Sequence, residues 1–439
     1  MNDKLNYGFT CGDAGADEKP GVDKAYYSAI TVTQNTNGSN VLLHVPPIPN
    51  QFLDPNEFYI RVAVQIVNAD GTNIPSVGGE PGVDVFPLTG FLNNLWSQVS
   101  VRLNGTVLPP TTDYPYVALL LSLLGTSSQA MDTAVRPLSY GIQDNDATSV
   151  ITQEQSQNYP LAMAAIADSK EFVLYGRLHC GFLVTLAQLI PDTMSLDIEL
   201  TRSRDTFPLG SANPNAEYRI KLNSFTLFTK RIEFNDKAHK VLRSLLSREQ
   251  AFLKYQRYQS RVMYVPKDSR TFNWGNVFSG SSLPKRIFFM LVDQSSYSGA
   301  INRRPTFCET ADVGEVRFLV DGRDILPEPY RPRFFKVGDS DKISRSSDIK
   351  SVILGLQIAC GNYFEPVKQW PGMSTMEMIY GSMIYASRLP NYERDGAAAG
   401  TLDIAVVFNT NAHRSYTAIC IGEFDQCLKI SPNLDVSIL

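Results

Sequence analysis

Histidines and clustered carboxylates are the side chains of this sequence that could perform catalysis or bind a metal. The four histidines are His44, His179, His239 and His413, and each is far from the others in the chain. A metal centre or a general acid–base site needs several such groups in one place. The segment GDSD at 338–341 could bind a cation, but no further carboxylates follow at the spacing of a calcium loop. The sequence therefore favours structural roles for the four histidines and a solvated loop at 338–341.

The cysteines show no spacing typical of zinc binding or disulfide exchange. The six are Cys11, Cys180, Cys308, Cys360, Cys420 and Cys427, and they include no C-x-x-C pair. Cys180 follows His179 directly, but adjacent side chains of a strand point to opposite faces and cannot share a ligand. We predict buried free thiols rather than disulfides or a zinc site, as expected in a reducing compartment.

Sequence motifs of the common enzyme classes are absent from the 439 residues. There is no phosphate-binding G-x-x-x-x-G-K-S/T, no G-x-S-x-G nucleophile turn, no H-E-x-x-H and no dinucleotide-binding G-x-G-x-x-G. We therefore predict a protein that is not an enzyme, with no catalytic residues, no cofactor and no metal site.

The N-terminus MNDKLNYGFTCGDAGADEKPG lacks the basic and then apolar pattern of a secretory signal. No apolar run of the sequence approaches the roughly 18 residues that a membrane span needs. We expect synthesis in the cytoplasm without a signal peptide, and no insertion into a membrane.

Charged residues are scarce, and one segment is basic. They make up 19% of the chain, against about 25% in a typical domain, while the chain has 20 Tyr and 23 Phe. Either much of the surface is buried against partners or the loops are long and uncharged, and both can hold. The net charge of −4 argues against a protein dedicated to coating nucleic acid.

Residues 230–270 contain eleven basic and only four acidic side chains. Three of the basic residues, Lys237, Lys240 and Arg243, follow helical spacing and are predicted to share one side of a helix. An apolar stripe on the other side would comprise Val241, Leu242, Leu245 and Leu246. The basic segment could contact nucleic acid or an acidic partner, or it could be an ordinary solvated surface, and the sequence does not choose.

These residues must be positioned by β-strands, because the chain shows strand patterns from end to end. SQVSVRLNGTVL at 97–108 alternates apolar and polar residues up to Asn104-Gly105, and EVRFLVDGRDIL at 315–326 does the same up to Asp321-Gly322. Both dipeptides supply the positive φ angles of a type I′ hairpin turn. Short strands with long irregular connections favour a β-sandwich or jelly roll.

Four features of the first half recur in the same order in the second. The two hairpins come first, followed by the apolar segments YVALLLSLLG (116–125) and VILGLQIACG (352–361). SLDIEL (195–200) and TLDIAV (401–406) come next, and SFTLF (224–228) and SYTAI (415–419) are last. A constant order with variable spacing indicates a duplicated domain.

The duplication predicts four segments. They are a flexible N-terminal arm at 1–24, a first β domain at 25–235, a linker helix at 236–251 capped by Asn235 or Asp236, and a second β domain with a C-terminal tail at 252–439.

In the order of its recurring features and in several motifs, the sequence resembles the double jelly-roll major capsid proteins of the Polinton (Maverick) and adintovirus group, relatives of adenovirus hexon. The motifs are FLNNLWSQVSVRLNG (91–105), DYPYVALLLSLLG (113–125), GRLHCGFL (176–183), LDIELTRSRDTF (196–207), LPKRIFFMLVD (283–293) and FLVDGRDIL (318–326). The resemblance implies an all-β fold of two consecutive eight-stranded jelly rolls joined by a short helical linker.

The resemblance also implies a function. Three chains would form a pseudo-hexagonal capsomer, and capsomers would tile the facets of an icosahedral shell around double-stranded DNA. The expected partners are further copies of the chain, penton and other minor capsid proteins, and packaged DNA, with the virion as the location. Because jelly-roll bases face the capsid interior in this family, Lys237, Lys240 and Arg243 would then meet DNA or an internal minor protein.

Jelly rolls also occur in carbohydrate-binding proteins and cupin enzymes, so a lectin-like protein is the alternative. A lectin would usually carry a secretory signal, and a cupin would need histidines and carboxylates clustered in one barrel. The sequence shows neither.

Overall fold

Strands dominate the chain, as the alternating patterns predict. The computed structural model describes residues 22–32, 40–77, 80–81, 84–125, 148–152, 163, 166–280, 282–335, 347–360, 378–389 and 399–439. Of the arm predicted at 1–24, residues 22–24 belong to the first strand, and residues 1–21 lie outside the described ranges.

The first half of the chain begins with a long strand and ends with another. Its strands are Val22–Val32 (β1), Asn40–Val45 (β2), Gln51–Asn68 (β3), Ser76–Val77 (β4), Glu80–Pro81 (β5), Phe86–Pro87 (β6), Trp96–Leu103 (β7), Thr106–Val107 (β8), Phe172–Gly176 (β9), Leu196–Arg202 (β10), Leu209–Gly210 (β11) and Tyr218–Phe234 (β12). Its helices are Phe91–Asn94 (α1), Tyr114–Gly125 (α2) and Gly181–Thr185 (α3), with a 3₁₀ turn at Ala167–Ser169.

A helix, Asp236–Arg248 (α4), leads into the second half. The strands there are Ala251–Val265 (β13), Thr271–Gly280 (β14), Arg286–Asp293 (β15), Val313–Val320 (β16), Arg323–Asp324 (β17), Tyr385–Arg388 (β18), Gly400–Phe408 (β19), Tyr416–Ile430 (β20) and Val436–Ile438 (β21). Its helices are Gln294–Tyr297 (α5) and Lys350–Cys360 (α6).

The first half is a jelly roll of two antiparallel four-stranded sheets. One sheet has the order β1-β12-β3-β9 and the other β2-β10-β7-β8. The alternating pattern of β2 buries Val41, Leu43 and Val45 between the sheets, and β10 does the same with Leu196 and Ile198. Alternation at period two is what places these side chains on one face.

The second half repeats this topology strand for strand. Its sheets have the orders β13-β20-β15-β18 and β14-β19-β16-β17, and β21 extends the first by pairing with β20. If the two sets of sheets are aligned, β13 corresponds to β1, β15 to β3, and β20 to β12. The fold is therefore a double jelly roll, and the predicted all-β class is confirmed.

The two predicted hairpin turns occupy equivalent places, between β7 and β8 and between β16 and β17. Asn104 and Gly105 have φ angles of 48° and 84°, and Asp321 and Gly322 have 51° and 75°. Positive φ at both positions is the type I′ geometry, which confirms the turn prediction.

The other recurring segments are equivalent as well. The two apolar segments form α2 and α6, each between the fifth and sixth strands of its jelly roll. The LDI segments lie in β10 and β19, and the SFTLF and SYTAI segments in β12 and β20. The predicted duplication is therefore confirmed by the strand order.

Two strands of the jelly-roll sheets, β14 and β18, have no regular alternating pattern in the sequence. In β14 the alternation is interrupted at Gly275 and Asn276, where the register shifts between Trp274 and Phe278 and Asn276 has a φ of 56°. A bulge of this kind disrupts the periodicity that reveals a strand. The short β18 has no alternation to detect, because Tyr385, Ala386 and Ser387 are all buried.

Helix α4 begins where predicted, and its N-cap is Asn235, whose Oδ1 accepts a hydrogen bond of 2.9 Å from the Ala238 amide. Its buried face differs from the prediction. His239 and Leu242 are buried, whereas Val241 is 46% exposed. Val241 therefore belongs to the solvent side of the helix.

Two hydrophobic cores lie inside the jelly rolls, and each extends into the other domain. Helix α2 of the first half contributes Tyr116, Val117, Leu120 and Leu123 to the core of the second. In return, β13 and β20 contribute a set of apolar residues to the first core, namely Ala251, Leu253, Tyr255, Leu428 and Ile430.

Candidate interaction surfaces

The histidines lie apart, and each has a local hydrogen-bond partner. His44 Nδ1 lies 2.5 Å from Asp197 Oδ1 on the outer face of the first jelly roll. His239 lies on the buried side of α4, with its Nε2 3.0 Å from Asp192 Oδ2. Each imidazole is held by one carboxylate, a pairing that orients a ring but does not make a metal centre.

The other two histidines pair with hydroxyl groups. His179 Nε2 lies 3.1 Å from Ser122 Oγ, and desolvation by burial, with a smaller effect of Arg177, lowers the pKa of His179 to about 4. His413 lies 3.2 Å from the hydroxyl of Tyr416. These rings have structural partners, which is the role predicted for them.

A metal centre would need at least three ligands close together. In the described ranges, no three His, Cys, Asp or Glu side chains form such a group. The GDSD segment at 338–341 lies outside those ranges.

The five cysteines that the structure describes are free thiols, as predicted. Cys180, Cys308 and Cys420 are buried, while Cys360 and Cys427 are partly buried. Burial raises the pKa of Cys308 to about 12 and that of Cys360 to about 11. These thiols stay protonated at neutral pH and are poor nucleophiles. Cys11 lies outside the described residues.

The best-formed clefts of the described chain are too small for a ligand. One lies beside Pro55, Phe58 and Leu183, and the other lies between the two jelly rolls beside Cys180 and Tyr258. Neither has room for more than about one water molecule. Among the described helices, none has the length and hydrophobicity that a membrane span requires.

The most extensive contact surface lies between the two jelly rolls, where α3 and the residues after it cover the outer edge of β13. The Ala187 amide donates to the Lys254 carbonyl at 3.1 Å. The Lys254 amide donates to Gln188 Oε1 at 2.9 Å, and the Gln256 amide donates to Thr185 Oγ1 at 2.7 Å. An edge strand with these partners cannot pair with another chain at these positions.

Glycine is required where α3 meets β13. A Cβ at Gly181 would lie 2.0 Å from the Gln256 carbonyl oxygen, far inside any real contact. The close approach of the two domains therefore depends on the missing side chain of Gly181.

The segment before α2 joins the domains through polar groups. Ser260 Oγ of β13 donates to Asp113 Oδ2 at 2.6 Å. Tyr297 of α5 donates to Asp113 Oδ1 at 2.9 Å and stacks on Tyr116 with 5.9 Å between ring centroids. The Tyr116 hydroxyl donates to the Pro305 carbonyl at 3.0 Å. The Asp113 carboxylate and the stacked pair of Tyr116 and Tyr297 therefore both connect the two domains.

A second polar junction connects residues 148–152 to the second jelly roll. Ser149 Oγ donates to Glu309 Oε1 at 2.6 Å, and Arg414 Nη1 lies 3.6 Å from the same carboxylate. Burial raises the pKa of Glu309, while Ser149 and Arg414 act in the opposite direction. The domain contact is therefore held by polar groups at several separate places.

The surfaces left exposed include apolar patches. On the first jelly roll, Tyr27 and Tyr59 are 52% and 37% exposed, and their ring centroids are 6.0 Å apart. On the second, Leu354 and Ile358 are 41% and 52% exposed on α6. Apolar side chains one helical turn apart form a continuous stripe, and exposed stripes of this kind commonly mark contact sites.

The predicted basic side chains are exposed on α4. Lys237, Lys240 and Arg243 all lie on its solvent side. Arg261 and Lys267 do not share this surface, because they lie near the far end of the 15-residue strand β13. That end is about 45 Å away along the strand. The excess of positive charge is thus divided between two places.

Comparison with known proteins supports the fold. No family model matches the sequence, and no curated protein matches it. Solved structures, however, are similar to it. The Sputnik virophage structure has 12% identity and a TM-score of 0.60, and the match covers 96% of this chain and 89% of that one.

Two further similar structures are viral major capsid proteins. The mavirus major capsid protein has 10% identity and a TM-score of 0.52, with 99% of this chain and 94% of that one covered. The Faustovirus major capsid protein has 10% identity and a TM-score of 0.51, with 94% and 92% covered. At these identities the likeness shows the class of fold, a double jelly roll over nearly the whole chain.

Proposed function

We propose that this chain is a major capsid protein, a building block of an icosahedral shell around double-stranded DNA. The observation that carries the proposal is the duplication of one jelly roll within a single chain whose two domains contact each other. Because each chain has two similar domains, three chains around an axis present six similar domains. That arrangement suits pseudo-hexagonal packing. Two of the similar solved structures are described as major capsid proteins, which supports the same function here.

The proposed building block is a homotrimer. Scarce charge, at 19% of residues, and apolar stripes left exposed on each jelly roll support burial of large surfaces between chains, of the class above roughly 2,000 Å². The further partners are neighbouring capsomers, penton proteins and other minor capsid proteins, and the protein would be located in the virion.

The lineage proposed is that of the Polinton and adintovirus group. It is supported by the motifs of both halves, among them FLNNLWSQVSVRLNG at 91–105 and LPKRIFFMLVD at 283–293, which lie in the strands and turns that build the two jelly rolls.

The exposed basic face of α4 is proposed to face the shell interior and to contact packaged DNA or an internal minor protein. Its support is the position of Lys237, Lys240 and Arg243 on the solvent side of one helix. Phosphate contacts by such residues are not sequence-specific and weaken with salt.

A carbohydrate-binding function has less support. The best-formed clefts of the described chain hold no more than about one water molecule, whereas ligand pockets are several hundred Å³ in size.

Electron microscopy of the purified recombinant protein tests the proposal. We expect hexagonal blocks or closed shells. Separate single chains with two lobes, at all protein concentrations and salt conditions, would contradict it.

A further inference from the structure

The cleft beside Cys180, between the two jelly rolls, is lined by both domains. Leu108 and Thr111 come from the first domain, and Tyr255 and Arg257 come from β13 of the second. The cleft has room for about one water molecule. An organic molecule does not fit there, but a single ion does.

Two hydrogen-bond donors of this cleft have no acceptor in the described part of the chain. They are the Tyr255 hydroxyl and the Arg257 Nε, and both atoms are buried. Tyr255 as a whole is only 6% exposed. The two residues are two positions apart on one strand, so their side chains lie on the same face. Because a buried donor without an acceptor is costly, a species that accepts from both would stabilise the folded chain.

The guanidinium of Arg257 also has no negative partner. Within the described ranges, no carboxylate pairs with it, and its closest charge-stabilising contact is the ring of Phe424, with the Cζ 4.6 Å from the ring centroid. Burial lowers the pKa of Arg257, and Tyr255 acts in the opposite direction. Arg286, by contrast, is also partly buried and pairs with the carboxylate of Glu423. The charge of Arg257 therefore calls for an anion that the described protein does not supply.

The other polar side chains of the cleft already have partners. Thr111 Oγ1 donates to Cys180 Sγ at 3.6 Å, and the Tyr258 hydroxyl donates to Glu423 Oε2 at 3.0 Å. None of the described residues that line the cleft carries a carboxylate. Water could accept hydrogen bonds here but would leave the positive charge uncompensated, so this chemistry favours an anion.

We propose that the cleft binds one small monatomic anion such as chloride, held by the Tyr255 hydroxyl and the Arg257 guanidinium. Because Thr111 and Cys180 of the first domain cover the site, the anion stabilises the contact between the jelly rolls. A ligand that binds only the folded chain raises its stability as the ligand concentration rises above the dissociation constant. The site does not depend on the proposed capsid function.

Urea unfolding in sodium chloride and in sodium gluconate of equal ionic strength tests this site. Gluconate is too large for the cleft and controls for general effects of salt. We expect the urea midpoint of the wild type to rise with chloride concentration and then to level off, and bromide to have the same effect. Equal midpoints in chloride and gluconate would overturn the proposal.

Variants locate the effect. Arg257→Gln and Tyr255→Phe should each lose the rise that chloride causes, whereas Arg261→Gln should keep it, because Arg261 is exposed further along the same strand. Tyr255→Phe should also change sign with the salt. In gluconate it should be at least as stable as the wild type, because it removes a buried hydroxyl that has no partner, and in chloride it should be less stable. A chloride effect that persists in both cleft variants would contradict the site.

Anomalous diffraction from wild-type crystals grown in bromide locates the ion without depending on any variant. A bromide peak between the Tyr255 hydroxyl and the Arg257 Nε is the expected result. A water molecule alone at this place, in crystals that bind bromide elsewhere, would overturn the proposal.

Discussion

The Tyr297 hydroxyl donates a 2.9 Å hydrogen bond to the Asp113 carboxylate, and the two residues belong to different jelly rolls. The bond lies where α2 of the first domain enters the core of the second, beside the stacked rings of Tyr116 and Tyr297. The two domains are therefore joined by specific side chains as well as by the linker helix α4.

Removal of that hydroxyl should weaken the junction. Tyr297→Phe keeps the stacked ring but removes this hydrogen bond, while Asp113 keeps the one from Ser260. We therefore expect a loss of about 1 kcal/mol in the free energy of unfolding. Urea titration measures it. Tyr264→Phe is the control, because Tyr264 is 53% exposed and bonds to Ser415 within the second domain. An equal effect of both variants would contradict the role of the junction.

A methyl group at Gly181 should force the domains apart. Since its Cβ would lie 2.0 Å from the Gln256 carbonyl, we expect Gly181→Ala to destabilise the chain by about 1–3 kcal/mol, the usual cost of overpacking. At Gly125, the end of α2, an added Cβ meets nothing within 4 Å. Gly125→Ala should therefore unfold at the same urea concentration as the wild type or slightly above it.

Acid should destabilise the fold through His179. Its pKa is lowered from 6.5 to about 4 by desolvation, so the folded state favours neutral imidazole while the unfolded state takes up a proton near pH 6.5. Stability from this group is full above pH 6.5 and falls as the pH drops towards 4, by at most about 3 kcal/mol.

The measurement is the unfolding free energy of wild type and His179→Gln between pH 4 and pH 7. We expect the variant to lose less stability over this interval, because it lacks the titrating ring. Parallel curves for the two proteins would rule out His179 as a source of acid sensitivity.

The basic face of α4 should matter for DNA rather than for folding. Replacement of Lys237, Lys240 and Arg243 by glutamate should leave the trimer folded but weaken DNA retention, and the wild-type interaction should fall steeply with added salt. Glutamates at Arg261, Lys267 and Arg270, which are exposed near the far end of β13, provide a control with the same charge change. Normal assembly and packaging by the α4 variant would contradict a role in DNA binding and show that these residues form an ordinary solvated surface.

Local signals in the sequence predicted most of the fold. Asn104-Gly105 and Asp321-Gly322 reveal their turns because positive φ is a local property of those residues. The sequence pattern does not reveal β14, because Gly275 and Asn276 interrupt its alternation. Periodicity reveals a strand only where the ladder is regular.

The contacts between the domains could not be predicted from the sequence patterns. Asp113 and Tyr297 are 184 residues apart, and no local pattern links them. One signal was present: YVALLLSLLG at 116–125 is apolar on every side, and a helix with no polar face is buried all round. On α4, by contrast, Val241 follows the apolar pattern yet is exposed, because His239 and Leu242 form the buried side.

The mass of the purified protein in solution tests the proposed homotrimer most directly. One chain has a mass of 48.8 kDa, so light scattering at micromolar concentration should give about three times that value, or the mass of larger assemblies built from trimers. A stable monomer of 48.8 kDa under the same conditions would contradict the capsomer.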